Sequence, residues 1–420
     1  MSVAVDSAQP TTPQSAAPAR AKMARFVGRA KVFWLLLARG AVLLMLTLGL
    51  YRFWLTTDIR RYLWSNTEIA DETFEYTGTA RELLLGFLIA IAVLVPLYVV
   101  FFLLTLAPGE GMWSLLSIAI IAFLGQYAVY RARRYRLTRT IYRGVRFHQT
   151  GSALRYSVCA VLWWGLTVLT LGLAYPFGQA QLERFKMRHT FFGSLSGRFE
   201  GSGWRLFARG ILLWALAIVP FLIGAVASIL AIDWNAVASA TAGEASWLES
   251  SGLGGAVVFA ALSGVWLLLS LALLYPIFQA IMLRWWVSGL RFGEVGVSCR
   301  LRTGEVFAVY ARFVGYVSLF SLLATVFIGM GGVAVAKLTG SLDSLQDEIV
   351  TTVLGLGAYV AVALGYSAIY QGTVKIGLWR CIIESLDVSN VGALEKVAAA
   401  GEAASPIGEG LADALNVGGI

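Results

Sequence analysis

None of the eight apolar stretches in this 420-residue chain contains an Asp or a Glu. Carboxylates inside the membrane are the common proton relays of coupled transporters, so proton-coupled transport is disfavoured. Charge is scarce throughout, at 14% of residues against roughly 25% in a soluble domain. Only two histidines occur, His148 and His189, both in basic connections. No histidine cluster can therefore hold a metal or complete a catalytic triad. The three cysteines, Cys159, Cys299 and Cys381, are far apart and form no Cys-x-x-Cys pair, which excludes a disulfide framework and a structural zinc site. There is no Walker loop and no dinucleotide fingerprint. With 44 glycines, scattered Gly-x-Gly fragments arise by chance. No cofactor, no metal and no enzymatic activity is expected.

What is abundant is apolar surface. Hydrophobic residues make up 58% of the chain, more than a soluble surface can cover, so part of the solvent must be lipid. A lipid-spanning helix needs about 20 apolar residues. Six segments qualify: Leu83–Ala107, Met112–Tyr130, Leu206–Ala231, Leu253–Leu283, Val306–Ala336 and Ile349–Val374. The net charge of +9 comes from basic residues set between these runs. That placement is the ordinary flank of membrane spans, and nucleic-acid binding is not expected.

The short connections Pro108–Gly111, Ile232–Gly252 and Lys337–Glu348 hold seven acids and one base, while the other 32 basic residues lie elsewhere. Acidic connections outside and basic ones in the cytoplasm follow from the positive-inside rule. Two further apolar stretches, Val32–Tyr51 and Tyr156–Leu182, have basic flanks on both sides. One crossing in either would put an Arg-rich connection outside. Both share the word Leu-Thr-Leu-Gly-Leu, at Leu46–Leu50 and Leu169–Leu173, and Gly breaks helices. They are read as re-entrant or shallow hairpins, with two ordinary single spans as the alternative. The expected fold is all-α in the membrane, with six full transmembrane helices plus two hairpins.

An internal repeat runs through the chain. Polar words end in Thr or Ser followed by Gly: Phe74–Gly78, Phe147–Gly151, Phe199–Gly203 and Arg300–Gly304, with a shorter echo at Phe26–Gly28. Gly would open the turn and the hydroxyl would cap the next helix. The residues before each word could form small cytoplasmic β-ribbons. Gln126/Arg131, Gln179/Arg184 and Gln279/Arg284 share one five-residue spacing near helix ends. They read either as a polar ring around a ligand or as glue between helices plus snorkelling arginines. Arg39, Arg209 and Arg312 interrupt apolar stretches. They read either as snorkelling groups or as a basic pocket for an anionic lipid head group.

The words Leu46–Tyr51, Arg60–Glu68, Phe74–Gly78, Thr170–Gly172 and Tyr175-Pro176 together resemble the YjgN-like bacterial inner-membrane family, a domain family of unknown function. The similarity extends from about Phe26 into the tail around Gly410–Leu415. The resemblance implies an inner-membrane location and supplies no activity and no catalytic residues. The expected organisation is a disordered tail over 1–25, a repeat-built transmembrane domain over 26–384, and a cytoplasmic tail over 385–420. Both tails are placed in the cytoplasm. A passive transporter, channel or lipid-handling protein is the leading functional reading. Its partners would be the lipid bilayer and anionic lipid head groups. The alternative is a membrane scaffold that binds a protein through its basic repeats.

Overall fold

A computed structural model describes residues 23–105, 110–239, 252–339, 344–400 and 405–415. The expected disordered tail lies outside the described residues as far as position 22, as do parts of the three acidic connections.

Ten short strands form one antiparallel sheet in chain order: β1 (Ala24–Phe26), β2 (Thr67–Ile69), β3 (Glu72–Tyr76), β4 (Thr140–Tyr142), β5 (Val145–Gln149), β6 (Thr190–Phe192), β7 (Leu195–Phe199), β8 (Leu290–Phe292), β9 (Val295–Cys299) and β10 (Leu386–Ser389). Pairs Ile69↔Glu72, Tyr142↔Val145, Phe192↔Leu195 and Phe292↔Val295 close four hairpins on two-residue loops. Both loop residues have positive φ in Ala70-Asp71 and Arg143-Gly144, and Gly193 and Gly293 open the other two loops with positive φ. Such turns match the right-handed twist of the strands.

The isolated ribbons expected from the repeat words are therefore joined edge to edge. One backbone bond recurs at every joint: from the amide of Val27 to the Asn66 carbonyl (3.0 Å), Thr77 to Arg139 (2.9 Å), Thr150 to His189 (2.8 Å), Glu200 to Gly289 (2.9 Å) and Arg300 to Ser385 (2.9 Å). β1 and β10, from opposite ends of the chain, come together where a fifth hairpin would sit, and the sheet curls into a barrel-like ring. A three-residue strand cannot stand alone in water; five joints link the hairpins into one sheet.

The helices are α1 (Ala30–Leu46), α2 (Arg52–Ser65), α3 (Ala80–Thr105), α4 (Glu110–Thr138), α5 (Ala153–Leu169), α6 (Tyr175–Arg188), α7 (Gly203–Leu230), α8 (Trp234–Ser239), α9 (Leu253–Ser288), α10 (Thr303–Thr339), α11 (Ser344–Tyr370), α12 (Ile376–Glu384) and α13 (Ile407–Ala414). A π-helical turn, Gln371–Lys375, carries α11 into α12. Each strand pair is entered from one helix and left into another, so five pairs of arms rise from the ring: α1–α2, α3–α4, α5–α6, α7–α9 and α10–α11. Six helical segments are long and apolar enough to cross a membrane: Ala80–Leu104, Met112–Thr138, Gly203–Leu230, Leu253–Ser288, Thr303–Val333 and Glu348–Glu384.

The other two pairs are short. α1 and α5 have 17 residues each and α2 and α6 have 14, about 26 Å and 21 Å at 1.5 Å per residue. Their apices are built alike. Leu48 and Gly49 have φ of 50° and 91°, Leu171 and Gly172 of 50° and 96°. The Thr47 hydroxyl donates to the Leu43 carbonyl and accepts from the Tyr51 amide, and Thr170 does the same with Leu166 and Ala174. The repeated Leu-Thr-Leu-Gly word thus specifies a turn. In the first pair the apex closes the apolar stretch, in the second it falls inside Tyr156–Leu182, and in both the returning arm carries arginines.

Gly151 has the positive φ (87°) that its turn position suggests, but Gly28, Gly78 and, inside the third word, Gly201 have another role. Gly28, Gly78 and Gly201 have no positive φ. A Cβ there would come within 2.6 Å of the ring two residues earlier, Phe26, Tyr76 or Phe199. The glycine makes room for an aromatic that folds back under the sheet. Capping falls to the next residue: Thr79 and Glu82 exchange backbone-to-side-chain bonds of 3.4 and 3.5 Å, and Ser152 accepts from the Arg155 amide.

Candidate functional site

Counting from the first strand of each repeat gives a register that the Gln–Arg spacing alone does not. Six residues before that strand stands Arg61, Arg134, Arg184, Arg284 or Arg380, one in every repeat. Three of these reach the same place, 17 residues on: Arg61 donates to the Gly78 carbonyl (3.1 Å), Arg184 to Gly201 (3.2 Å) and Arg284 to Leu301 (3.4 Å). Arg134 donates to the Gln149 carbonyl (2.5 Å). These guanidiniums brace the strand-to-helix corner, where backbone carbonyls lack ladder partners.

Positions seven and four before the strand face the middle of the ring. They hold Arg60 and Leu63, Arg133 and Arg136, Glu183 and Lys186 in the first three repeats, but Leu283, Trp286, Trp379 and Ile382 in the last two. The charged half forms a buried cluster. Glu183 is held by Lys186 and lies 3.8 Å from Arg133. Arg60 donates to the Tyr76 hydroxyl (3.1 Å) and pairs with Glu409 of α13, which also lies 3.8 Å from Arg136. Lys375 stands within electrostatic reach of Arg60 and Arg136. Arg60, Arg133, Arg136 and Lys186 thus surround the two carboxylates, with Lys375 near the arginines and Asp413 within reach of Arg60 and Glu409.

Burial works against charge here, and the partners decide the outcome. Burial penalises the Arg60 cation, but Glu409 and Tyr76 outweigh it and hold its pKa above the ordinary value. Burial likewise opposes ionisation of Glu183; Lys186 and Arg133 more than compensate, and the carboxyl titrates below its ordinary range. For Lys186 burial prevails over Glu183 and the pKa falls. Asp413, beside Arg52 on α13, is raised by burial in spite of that arginine.

The segment from Ser385 onward supplies β10 and then returns to this cluster. α13 lies between α3 and α4, with Ala412 against Ala128 and Ala132. Gly410 crosses Gly86 so closely that a Cβ on Gly410 would stand 1.8 Å from the Gly86 carbonyl carbon.

A second locus lies at the periphery. Between the start of α7 and the end of α9 is a groove of about 460 Å³, lined by Arg205, Arg209, Arg284 and Arg291, with Glu200 its one acid. Arg291 is engaged by Glu200 (3.2 Å) and by the Ser288, Leu290 and Val297 carbonyls. Arg205 and Arg209 are exposed and stand one helical turn apart, on the same face. Beside them Trp204 is 65% exposed and stacks on Phe207.

Over residues 21–414 the chain matches the family described as bacterial protein of unknown function (DUF898). It belongs to that family. This is the YjgN-like family that the repeat words resemble. No curated protein and no solved structure matches the chain.

In this DUF898 protein the residues singled out from sequence do not converge on one point. Arg184 and Arg284 brace corners, Arg284 also reaching Thr303 (3.2 Å). Arg131 is not their counterpart: it precedes Arg134 by three residues and lies over the Tyr127 ring at 6.0 Å. Gln279 accepts from Tyr310. Gln179 lines a crevice of about 10 Å³ beside Trp163 and Tyr175, room for one water. Gln126 is half-buried, while Arg39 and Arg312 are exposed on other helices. Only Arg209 and Arg284 share a groove. Among the described residues no group of three His, Cys, Asp or Glu side chains could hold a metal ion.

Proposed function

We propose that this protein is an inner-membrane, lipid-handling protein that holds the phosphate of an anionic lipid in the groove between its third and fourth repeats. The observation that carries the reading is the groove itself, with four arginines against a single glutamate. Arg205 and Arg209 present forked donors to a phosphate. Trp204 is the kind of side chain that settles at head-group depth, and the apolar flanks of α7 and α9, such as Leu212 and Leu269, are exposed to receive acyl chains. The reading involves no reaction. Native mass spectrometry tests it: the R205Q/R209Q variant should retain about tenfold less phosphatidylglycerol than the wild type, and R39Q/R312Q should retain as much. Equal retention by all three would sink the reading.

The orientation belongs to the same proposal. The strand ring and both tails lie in the cytoplasm, and the two short helical pairs enter the membrane only part of the way. Their arms of about 21–26 Å are shorter than the roughly 30 Å hydrocarbon core. Their apices present Leu48, 95% exposed, and Leu169, 83% exposed, an apolar surface suited to lipid. In a chain lacking its native cysteines, single cysteines at Asp71 and Arg143 should both react with an impermeant maleimide only from the cytoplasmic side. Labelling of either from the periplasm would overturn this topology.

A further inference from the structure

α13 carries a carboxylate into a site that has too many cations for the anions it holds. Four cations, Arg60, Arg133, Arg136 and Lys186, face Glu183 and Glu409, a fifth, Lys375, stands near Arg60 and Arg136, and Asp413 is the third carboxylate within reach; Arg60 is 4% exposed. Arg60 Nε and Glu409 Oε2 are both buried without a hydrogen-bond partner. Buried donors of this kind ordinarily find acceptors. Glu409 reaches the site from 349 residues away, on an eight-residue helix that packs between α3 and α4 across a crossing of two glycines. Glu183, by contrast, is built into the ring on α6.

We propose that this interior cluster is an anion-binding site in which Glu409 is the resident, displaceable occupant. When α13 withdraws, a phosphate or phosphate monoester takes the place of the Glu409 carboxylate against Arg60 and Arg136, with Lys375 close to both. A tetrahedral dianion offers more acceptor oxygens than a carboxylate, enough to serve Arg60 Nε as well as its terminal nitrogens. It also offsets more of the excess charge. The site is separate from the peripheral groove and its existence does not depend on that reading. Two sources present the same chemistry: free phosphate, and the monoester head group of phosphatidic acid reaching in from α3 and α4.

The apparent affinity of such a site is reduced by the fraction of time α13 occupies it. Removing the occupant's charge should therefore strengthen binding. Full-length protein carrying R205Q/R209Q, so that the groove contributes nothing, is titrated with inorganic phosphate by calorimetry. Adding E409Q should tighten binding by about tenfold or more, and adding R60Q to E409Q should abolish the gain. If inorganic phosphate does not bind but native mass spectra show E409Q retaining phosphatidic acid and not phosphatidylcholine, the source is the lipid head group and the site stands. If neither ligand distinguishes E409Q from its parent, the proposal is wrong. Should E409Q fail to fold, hydrogen exchange of residues 407–414 in the wild-type sequence decides. Exchange that rises with added phosphate or phosphatidic acid supports displacement, and exchange unchanged by both overturns it.

Discussion

Replacing Glu183 by Gln should cost about 3–5 kcal/mol of stability, the range for breaking a buried ion pair by removing one partner. Glu183 is 5% exposed and stands between Lys186 and Arg133. Without its charge both cations remain in a site from which water is largely excluded. Lys186→Met should cost less, because Arg133 stays to face the carboxylate. The pH dependence follows from the directions of the shifts. The folded pKa of Glu183 lies below its ordinary value of 4.5, so its contribution is fully present above that value and is lost as pH falls through the folded pKa. Lys186 is shifted the other way in effect: its pKa is lowered, so its protonated form weakens the fold. Loss of that proton at alkaline pH should partly rescue Glu183→Gln. Thermal unfolding in detergent from about pH 2 to about pH 11 reads both trends. An E183Q midpoint equal to that of the wild type at neutral pH would show that the cluster does not bear on stability.

The long helices were legible because lipid imposes a simple rule: every backbone polar group must be satisfied inside the segment, so about 20 apolar residues read as a helix. The two short pairs were legible from one repeated word, since Leu48-Gly49 and Leu171-Gly172 need backbone that few residues adopt freely. The ring was not. Its strands have three to five residues, too few for a period of two to stand out, and each is stabilised by a neighbour 40 to 100 residues away. Without the strands as anchor, the Gln–Arg spacing aligned Arg131 with Arg184. The strand register places Arg134 there instead, and Arg60, which holds Glu409, one residue before the corner-bracing Arg61. A count backward from the Thr of Thr67, Thr140 and Thr190 would have separated the two arginine sets. Nothing local in Ile407–Ala414 shows where that helix goes, because its partners belong to α2, α3 and α4.

The asymmetry of the ring explains where α13 sits. Five repeats with equivalent corners would leave five equivalent inward positions, yet the last two repeats fill theirs with Leu283, Trp286, Trp379 and Ile382. Trp379 stacks on Trp64 at 5.3 Å and donates to the Thr67 hydroxyl (2.9 Å), sealing the joint between the two chain ends. Apolar filling on that side confines the charged groups to the other, beside α3 and α4. The one place where a helix can approach them closely is where both backbones lack a side chain.

Gly410→Ala should therefore release α13 from the bundle. The added Cβ would stand 1.8 Å from the Gly86 carbonyl carbon and 2.2 Å from the Phe87 amide nitrogen. These are backbone atoms, so no side-chain rotation relieves the overlap. A neighbouring helix would have to move by more than 1 Å, and overpacking of this kind costs about 1–3 kcal/mol. α13 buries only a short apolar stripe, Leu411, Ala412 and Leu415, so undocking is the easier response. Gly86→Ala should act in the same way, since its Cβ would meet the Pro406 carbonyl oxygen at 2.5 Å. Gly165→Ala, with nothing within 4 Å of the new Cβ, is the neutral control. A cysteine at Ala412, which is fully buried, reports the state of the helix in a chain without Cys159, Cys299 and Cys381. It should resist maleimide in the parent and the Gly165→Ala chain and react at least about tenfold faster with Gly410→Ala, as expected for a local opening brought close to zero free energy. Protection that persists in the Gly410→Ala chain would mean that the Gly86–Gly410 crossing does not hold α13 in place.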